Sequence, residues 1–354
     1  MLFSTEQLDA LAEVGVFRPN GLNDDRRVDM TDRPFLAIDS HHPWEIDDAI
    51  RVSYQKSGGF IVEVAIADGS QFHPDDWLAQ RAISRRMSNY TRSFVRGSML
   101  PGLVVKELEL SDRSPHRALV ISEKYSADTQ SLGPPEIVPA TVVSESLRFK
   151  EFGVNYLRHF GNQARSLPVV AFDRSFRKER QIHYASPAVL GGDADPVDFS
   201  SRLVQTYMIL ANMAAARWCA DNNVPILYRR LSKDETVWDE EPTPKEIVRA
   251  KYTPLPGKDK NMYRYSGTET SYTHFTSPLR RAVDLINHIQ VGHLIAGQEP
   301  PFSAAELTAH SSRFNIRRPS GHRRSIDIRR SPEVLDLREQ PSRNLEPAES
   351  SMTK

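Results

Sequence analysis

A short segment, residues 35–50, carries four carboxylates, at Asp39, Glu45, Asp47 and Asp48. Apolar residues flank these acids, so Asp39 is expected to end one buried strand while Asp47 and Asp48 begin the next. The loop between the strands would bring the acids together, where like charges raise each other's pKa unless a cation lies between them. A surface turn with ordinary solvated acids is the alternative that this segment alone leaves open.

The ligand types in this loop favour a hard divalent cation. Carboxylate oxygens suit Mg²⁺ or Mn²⁺. His41 and His42 lie in the same loop, but no cysteine and no second spaced histidine pair accompanies them, which disfavours zinc. The segment also lacks the central glycine of a calcium-binding loop. The sequence therefore predicts a Mg²⁺ site, with Mn²⁺ as an alternative ion.

A second segment whose residues could take part in catalysis, residues 272–281, has the sequence YTHFTSPLRR. We expect Ser277 to cap a helix whose first residue is Pro278. Leu279 and Arg280 would then lie in the first turn, among free backbone N–H groups and at the positive end of the helix dipole. Arg280 adds a planar donor for a phosphate. An acidic metal loop and an arginine phosphate site together favour phosphodiester hydrolysis.

The periodicity of the chain predicts the elements that position these two segments. Strands are expected over 33–39, 47–55, 60–68, 117–125 and 135–143, and helices over 4–15, 76–89, 201–222 and from 277 onward. The helix at 201–222 has one apolar face, formed by Leu203, Tyr207, Leu210, Ala211, Ala214 and Trp218. The sequence therefore predicts a mixed α and β domain.

The distribution of charge indicates a polyanionic partner, although the formal net charge of the 354-residue chain is zero. Residues 313–330 hold seven arginines and one acid, and residues 81–96 form a second basic stretch. Basic residues interleaved with aromatic ones suit single-stranded nucleic acid. Solvated helix faces are the alternative for both stretches.

The cysteine content and hydropathy predict the compartment. Cys219 is the single cysteine, so no intramolecular disulfide can form, and we expect it to be a buried, inert thiol. No apolar run is long enough for a membrane span, and the N-terminus lacks the pattern of a secretory signal. These features predict a cytoplasmic protein without a membrane partner.

Four stretches, taken in order, resemble the catalytic domain of the ribonuclease II and ribonuclease R family, the RNB domain. They are AIDSHHPWEIDDAI, VEVAIADGSQF, SNYTRSFVRGSMLP and YTHFTSPLRRAVDLINH, and the last is highly specific. The resemblance implies an α+β fold with a mixed sheet packed against helices, over residues 20–298. Residues 1–19 would form an N-terminal helical extension, and residues 299–354 a basic, partly disordered tail.

The resemblance also implies an activity, the 3′-to-5′ hydrolysis of single-stranded RNA to nucleoside 5′-monophosphates with Mg²⁺. Carried over by position, Asp39 and Asp48 would hold the principal metal. Glu45 and Asp47 would serve a second metal or orient the attacking water. Glu45 stands where the family often has aspartate, which keeps the charge and adds one methylene.

Two further residues match family positions that contact the substrate. Tyr90 would stack on the 3′-terminal base, and Arg280 would bind the scissile phosphate. Arg280, Asp47 and Glu45 are therefore the predicted catalytic residues.

The chain also departs from the family pattern. Gln205 and Thr206 stand where members usually carry acids, in the helix that matches LVQTYMILAN, and the lead-in YSGTETSYTHF is shorter than usual. A glutamate usual near the end of the domain is not evident, and the chain has no room for the usual flanking OB-type domains. A second hypothesis is therefore a catalytically decayed RNB domain that binds RNA, and a third is a structural or protein-interaction role.

Overall fold

The computed structural model describes residues 20–40, 44–90, 95–111, 113–158, 168–179, 195–230, 250–256 and 271–316. The predicted helix at 4–15, the histidine pair at 41 and 42, and most of the basic stretch at 313–330 lie outside these residues.

The described strands are β1 (Val28–Asp39), β2 (Asp48–Tyr54), β3 (Phe60–Ala67), β4 (Asn89–Tyr90), β5 (Val95–Gly97), β6 (Pro115–Tyr125), β7 (Glu136–Arg148), β8 (Tyr228–Arg230) and β9 (Lys251–Thr253). Five of them close into a barrel in the order β1-β2-β3-β6-β7. The strand β1 runs parallel to β7, while the other neighbours of the barrel are antiparallel. The barrel is therefore a mixed sheet, as predicted.

The described helices are α1 (Trp77–Arg85), α2 (Gly102–Leu108), α3 (Phe149–Arg158), α4 (Pro168–Glu179), α5 (Pro196–Asp221), α6 (Ala282–Ile295) and α7 (Ala304–Asn315). They pack against the strands, and the predicted α+β class is confirmed. No helix among the described residues combines the length and the apolar character needed to cross a membrane.

Alternate residues of β3 enter two separate core clusters, as the two-residue period of a strand requires. Val62 and Val64 pack in the cluster that contains the buried face of α5. Ala65 and Ala67 belong to the other cluster, which contains the apolar residues of α6 from Ala282 to Ile289. The side chains of β3 therefore divide between these two clusters.

The helix α5 begins five residues earlier than predicted, because Asp195 caps it and Pro196 is its first residue. The Asp195 side chain accepts a hydrogen bond of 2.9 Å from the backbone N–H of Val197. The predicted apolar face is buried from Leu203 to Ala214, and Cys219 is fully buried on the same helix. Burial also raises the pKa of the Cys219 thiol, which agrees with an inert residue.

The predicted helix over 76–89 ends at Arg85 in the structure. Arg86, which follows the last helical residue, has a φ of 72° and a ψ of −47°, outside the helical region. The residues that follow are extended and lead to Tyr90 in β4. Because the helix ends at Arg85, Tyr90 lies in a strand and not in the helix.

The fold continues beyond residue 298, where the predicted boundary lies. Phe302 and Leu307 are buried in the same cluster as the apolar residues of α6. The Asn315 side chain also makes two hydrogen bonds of 2.8 Å to the backbone of Tyr252 in β9. We therefore propose a domain boundary that lies beyond α7.

Candidate active site

The acidic loop connects two neighbouring strands at one end of the barrel. The strands β1 and β2 pair antiparallel with Leu36 opposite Ile50, so the end of β1 at Asp39 and the start of β2 at Asp48 share that end. The predicted strand boundaries at these two acids are confirmed.

Backbone hydrogen bonds fix the last residues of this loop, which lead into β2. The carbonyl of Ile46 accepts from the N–H of Leu110 at 2.9 Å, and the carbonyl of Asp47 accepts from the N–H of Ala67 at 2.8 Å. Ile46 is itself buried. The carboxylates next to these residues therefore project from a fixed backbone.

The charges of two neighbouring acids act on a third, Asp48. Burial raises the pKa of Asp48 well above its usual range, and the negative charges of Asp39 and Asp47 raise it further. A bound cation would offset both effects. Asp39 and Asp48 offer only hard oxygen donors, the type that Mg²⁺ and Mn²⁺ prefer.

Within the described ranges, no group of three or more His, Cys, Asp or Glu side chains is arranged to hold a metal ion. A two-carboxylate pair is nonetheless a usual protein contribution to a Mg²⁺ site, since water and substrate phosphate supply the other ligands. The donor set of Asp39 and Asp48 fits such an ion.

The predicted helix start at Ser277 is wrong, because α6 begins at Ala282. Arg281 has an extended backbone, with φ of −128°, and forms a bridge with Met87. The flanking hydrogen bonds are Ala282 N–H to the Arg86 carbonyl at 2.8 Å and Ser88 N–H to the Arg280 carbonyl at 3.0 Å. This pairing with the segment after α1 keeps residues 277–281 out of the helix.

Residues 277–280 instead form a separate turn, in which the carbonyl of Ser277 accepts from the N–H groups of Arg280 and Arg281. The fully buried Asp284 holds this turn from within α6. Its Oδ1 accepts from the Ser277 N–H at 2.8 Å and from Nη2 of Arg281 at 2.7 Å. Asp284 lies in the quoted signature but was absent from the predicted site.

Asp47 links the acidic loop to this turn. Its buried carboxylate accepts the N–H of Leu279 at 2.9 Å and lies 3.3 Å from Nε of Arg280. The Leu279 N–H is therefore engaged by Asp47, although the sequence predicted it to face a phosphate. Burial raises the pKa of Asp47 to about 7, while the positive charge of Arg280 acts in the opposite direction.

Arg280 is the phosphate-binding candidate that remains exposed. Its side chain is 42% exposed, and Nη2 donates to the Ser277 hydroxyl at 2.9 Å. Contacts with Asp47 and Ser277 thus orient the guanidinium from two sides while leaving part of it open to solvent.

Tyr90 contacts the acidic loop through its hydroxyl, which donates a hydrogen bond to Glu45. Burial raises the pKa of Tyr90 and so does the neighbouring Glu45 charge, which keeps the phenol protonated as a donor. Burial also raises the pKa of Glu45, against the Tyr90 hydrogen bond that lowers it. Tyr90 is 41% exposed, so the residue is partly open to solvent while its hydroxyl is held by Glu45.

The six predicted site residues therefore lie around one end of the barrel. The charges of Asp39 and Asp47 act on Asp48, Arg280 contacts Asp47, and Tyr90 contacts Glu45. The individual roles assigned to them stay predictions.

His274, within the same signature, is a buried residue that the predictions missed. It lies between Arg229, whose Nη1 donates to its Nε2 at 2.9 Å, and the Tyr252 hydroxyl, 2.7 Å from its Nδ1. Burial lowers the pKa of His274 well below its usual range, and the positive charges of Arg281 and Arg229 lower it further. Its partners come from β8 and β9, whose pairing with this segment has no short-range signal in the sequence.

Gln205 and Thr206 occupy different environments on α5. Gln205 is exposed. Thr206 is fully buried, and its hydroxyl accepts a hydrogen bond from Arg177 of α4. Arg177 also pairs with Asp173 at 2.9 Å. Thr206 therefore contributes to the contact between α4 and α5.

Residues 27–152 match the family model of the RNB domain. The chain is 25% identical to an uncharacterized ribonuclease of Synechocystis sp. over 80% of its own length and 46% of that protein. It is 24% identical to ribonuclease R of Escherichia coli over 77% of its length and 41% of that protein. The chain thus spans less than half the length of these two curated relatives.

Solved structures share the fold at lower identity. Mycoplasma genitalium RNase R in complex with ribose methylated single-stranded RNA superimposes with a TM-score of 0.69 at 18% identity, covering 89% of this chain and 59% of that one. Yeast Ssd1, described as a pseudonuclease, superimposes with a TM-score of 0.65 at 15% identity, covering 85% and 44%. The same architecture therefore occurs in a ribonuclease and in a pseudonuclease.

Proposed function

Because residues 27–152 match the RNB-domain family model, we propose that the chain is a metal-dependent exoribonuclease that hydrolyses single-stranded RNA from the 3′ end. The observation that carries this proposal is the junction of two distant segments at Asp47. Its carboxylate contacts both Leu279 and Arg280, so the acidic loop and the arginine turn form one site. A surface turn of solvated acids does not require that junction.

The metal-binding residues in this proposal are Asp39 and Asp48, with Glu45 and Asp47 nearby. A divalent ion at this position supplies charge stabilisation and lowers the pKa of bound water. Mg²⁺ is the preferred candidate because the donors are all carboxylate oxygens, and Mn²⁺ is expected to substitute.

The chain's own residues bind and orient the substrate. The exposed part of the Arg280 guanidinium binds the scissile phosphate, while Asp47 and Ser277 fix its direction. The Tyr90 ring stacks on the 3′-terminal base, held by its hydroxyl contact with Glu45. In the reaction, a water oxygen bonds to phosphorus and the P–O3′ bond breaks. The products are a nucleoside 5′-monophosphate and an RNA that is one nucleotide shorter with a free 3′-hydroxyl.

Two labels on the same single-stranded RNA test this function. With a 3′-terminal label, the purified protein and Mg²⁺ should release labelled mononucleotide from the first turnover. With a 5′ label, the same reaction should produce progressively shorter RNA. Chelation should stop both, and Mg²⁺ or Mn²⁺ should restore them where Zn²⁺ does not. Internal fragments at early times, or hydrolysis that survives chelation, would contradict the proposal.

A second candidate is an RNA-binding protein without nuclease activity. It is supported by Thr206, whose hydroxyl is occupied by Arg177 at a position where an acid is usual, and by the likeness to a pseudonuclease. RNA that binds and stays intact at saturating Mg²⁺ and Mn²⁺ would favour this candidate.

A further inference from the structure

Three exposed residues with apolar side chains are each linked to a residue of the candidate site, by chain adjacency, by a hydrogen bond or by backbone pairing. Trp44 is 46% exposed and directly precedes Glu45 in the acidic loop. Tyr90 is 41% exposed and hydrogen-bonds to Glu45. Met87 is 51% exposed and pairs by its backbone with Arg281. Large apolar side chains that collect around one site are typical of a binding surface, whereas single exposed ones are ordinary.

We propose that Trp44 is a second base-stacking residue of this site, in addition to Tyr90. The proposal rests on the proposed function for the identity of the ligand, an unpaired RNA base. It extends that function by assigning a binding role to a residue outside the acidic and arginine groups.

The chemistry next to Trp44 selects a nucleotide over a purely apolar ligand. A nucleotide joins a flat ring to a phosphate, so it needs an exposed aromatic surface beside a cationic donor. Trp44 directly precedes Glu45 and lies three residues before Asp47, whose carboxylate is 3.3 Å from Nε of Arg280. Trp44 is therefore close in the chain to a carboxylate that contacts the guanidinium that the proposed function assigns to the phosphate.

The position of Trp44 is also fixed from its C-terminal side. The next residues, Glu45 and Ile46, are held by Tyr90 and by the N–H of Leu110. An aromatic ring on a restrained backbone loses less conformational freedom when a base stacks on it. Trp44 is therefore better suited to a stacking role than an exposed tryptophan on a mobile loop.

Affinity for single-stranded RNA, measured in chelator so that no hydrolysis occurs, tests the role of the ring. Trp44→Ala should weaken binding about 5- to 150-fold, and Trp44→Phe should weaken it less than about fivefold because a ring remains. Trp77 is a matched control, since it is 39% exposed and lies at the start of α1. Trp77→Ala should bind as wild type, and equal affinities for the two alanine variants would overturn the proposal.

Fluorescence gives a second test that does not depend on the alanine variant folding. Adenosine 5′-monophosphate should quench the tryptophan emission of the wild-type protein and of Trp77→Phe, but not that of Trp44→Phe. Ribose 5-phosphate, which lacks the base, should leave the emission unchanged. Quenching that persists in Trp44→Phe, no quenching in the wild type, or equal quenching by both ligands would refute base stacking on Trp44.

These measurements separate the inference from the proposed function. A wild-type protein that binds RNA through Trp44 but never cleaves it would contradict the nuclease and retain the stacking role. A protein that cleaves RNA with Mg²⁺ and binds it equally well as Trp44→Ala would retain the nuclease and reject the stacking role.

Discussion

The exchange of Arg280 for lysine tests whether the geometry of this side chain matters in addition to its charge. The guanidinium makes two protein contacts, since Nε lies 3.3 Å from Asp47 and Nη2 lies 2.9 Å from the Ser277 hydroxyl. The side chain is also partly exposed to solvent. A lysine ammonium is a compact point charge on a flexible stem. It cannot keep both protein contacts and present a planar donor to phosphate.

The expected loss is that of charge-assisted hydrogen bonds in the reacting complex. Such bonds contribute roughly 1.5–3 kcal/mol, which corresponds to about a 10- to 150-fold lower rate constant. The loss of folding stability should be smaller, below about 1 kcal/mol, because Arg280 is partly exposed and solvent screens its pair with Asp47. A large kinetic effect with a small stability effect is therefore expected.

The assay is the single-turnover rate of cleavage on single-stranded RNA with saturating Mg²⁺, with thermal unfolding measured in parallel. Arg202→Lys is the matched control, because Arg202 pairs with Asp198 on α5 and its side chain is 33% exposed. A lysine variant at 280 that cleaves at the wild-type rate would refute the two-point orientation of phosphate. Equal losses in both lysine variants would attribute the effect to arginine content in general.

Four further outcomes are expected from other parts of the chain. Asp48→Asn should reduce the cleavage rate to background in the RNA decay assay, while RNA affinity and the thermal midpoint are not lowered. Tyr90→Ala should lengthen the limit product on a denaturing gel, whereas Tyr90→Phe, which keeps the ring, should leave that length unchanged. Cys219 should not react with a thiol reagent in the native protein and should react once the chain is unfolded, because burial raises the thiol pKa. Asp284→Ala should lower the free energy of unfolding by about 3–5 kcal/mol, since the arginine it pairs with would remain as an uncompensated charge.

The features that the sequence predicts correctly depend on short-range patterns. Two-residue alternation identifies the strands, and the acids at the strand ends identify Asp39 and Asp48 as neighbours. The apolar face of α5 is equally visible, since every third or fourth residue from Leu203 onward is apolar. These features need only the local period of the chain.

The features that the sequence does not predict depend on partners far away in the chain. Ser277 and Pro278 form a good local helix start, yet Met87 pairs with Arg281 and delays the helix to Ala282. His274 likewise has its hydrogen-bond partners on β8 and β9. Tertiary pairing overrides local propensity at both positions.

Among the acids, Asp47 and Asp48 provide unequal support for catalysis. Asp47 would be useful to the fold alone, because it accepts the Leu279 N–H and pairs with Arg280. Asp48 instead lies where burial and two neighbouring carboxylates disfavour its charged form. Natural proteins keep buried carboxylates next to like charges mainly at functional sites. Asp48 is thus the residue that best separates a nuclease from a decayed domain. A lower free energy of unfolding after its charge is removed would indicate a structural role. An unchanged free energy of unfolding together with a loss of cleavage would indicate a carboxylate kept for the metal.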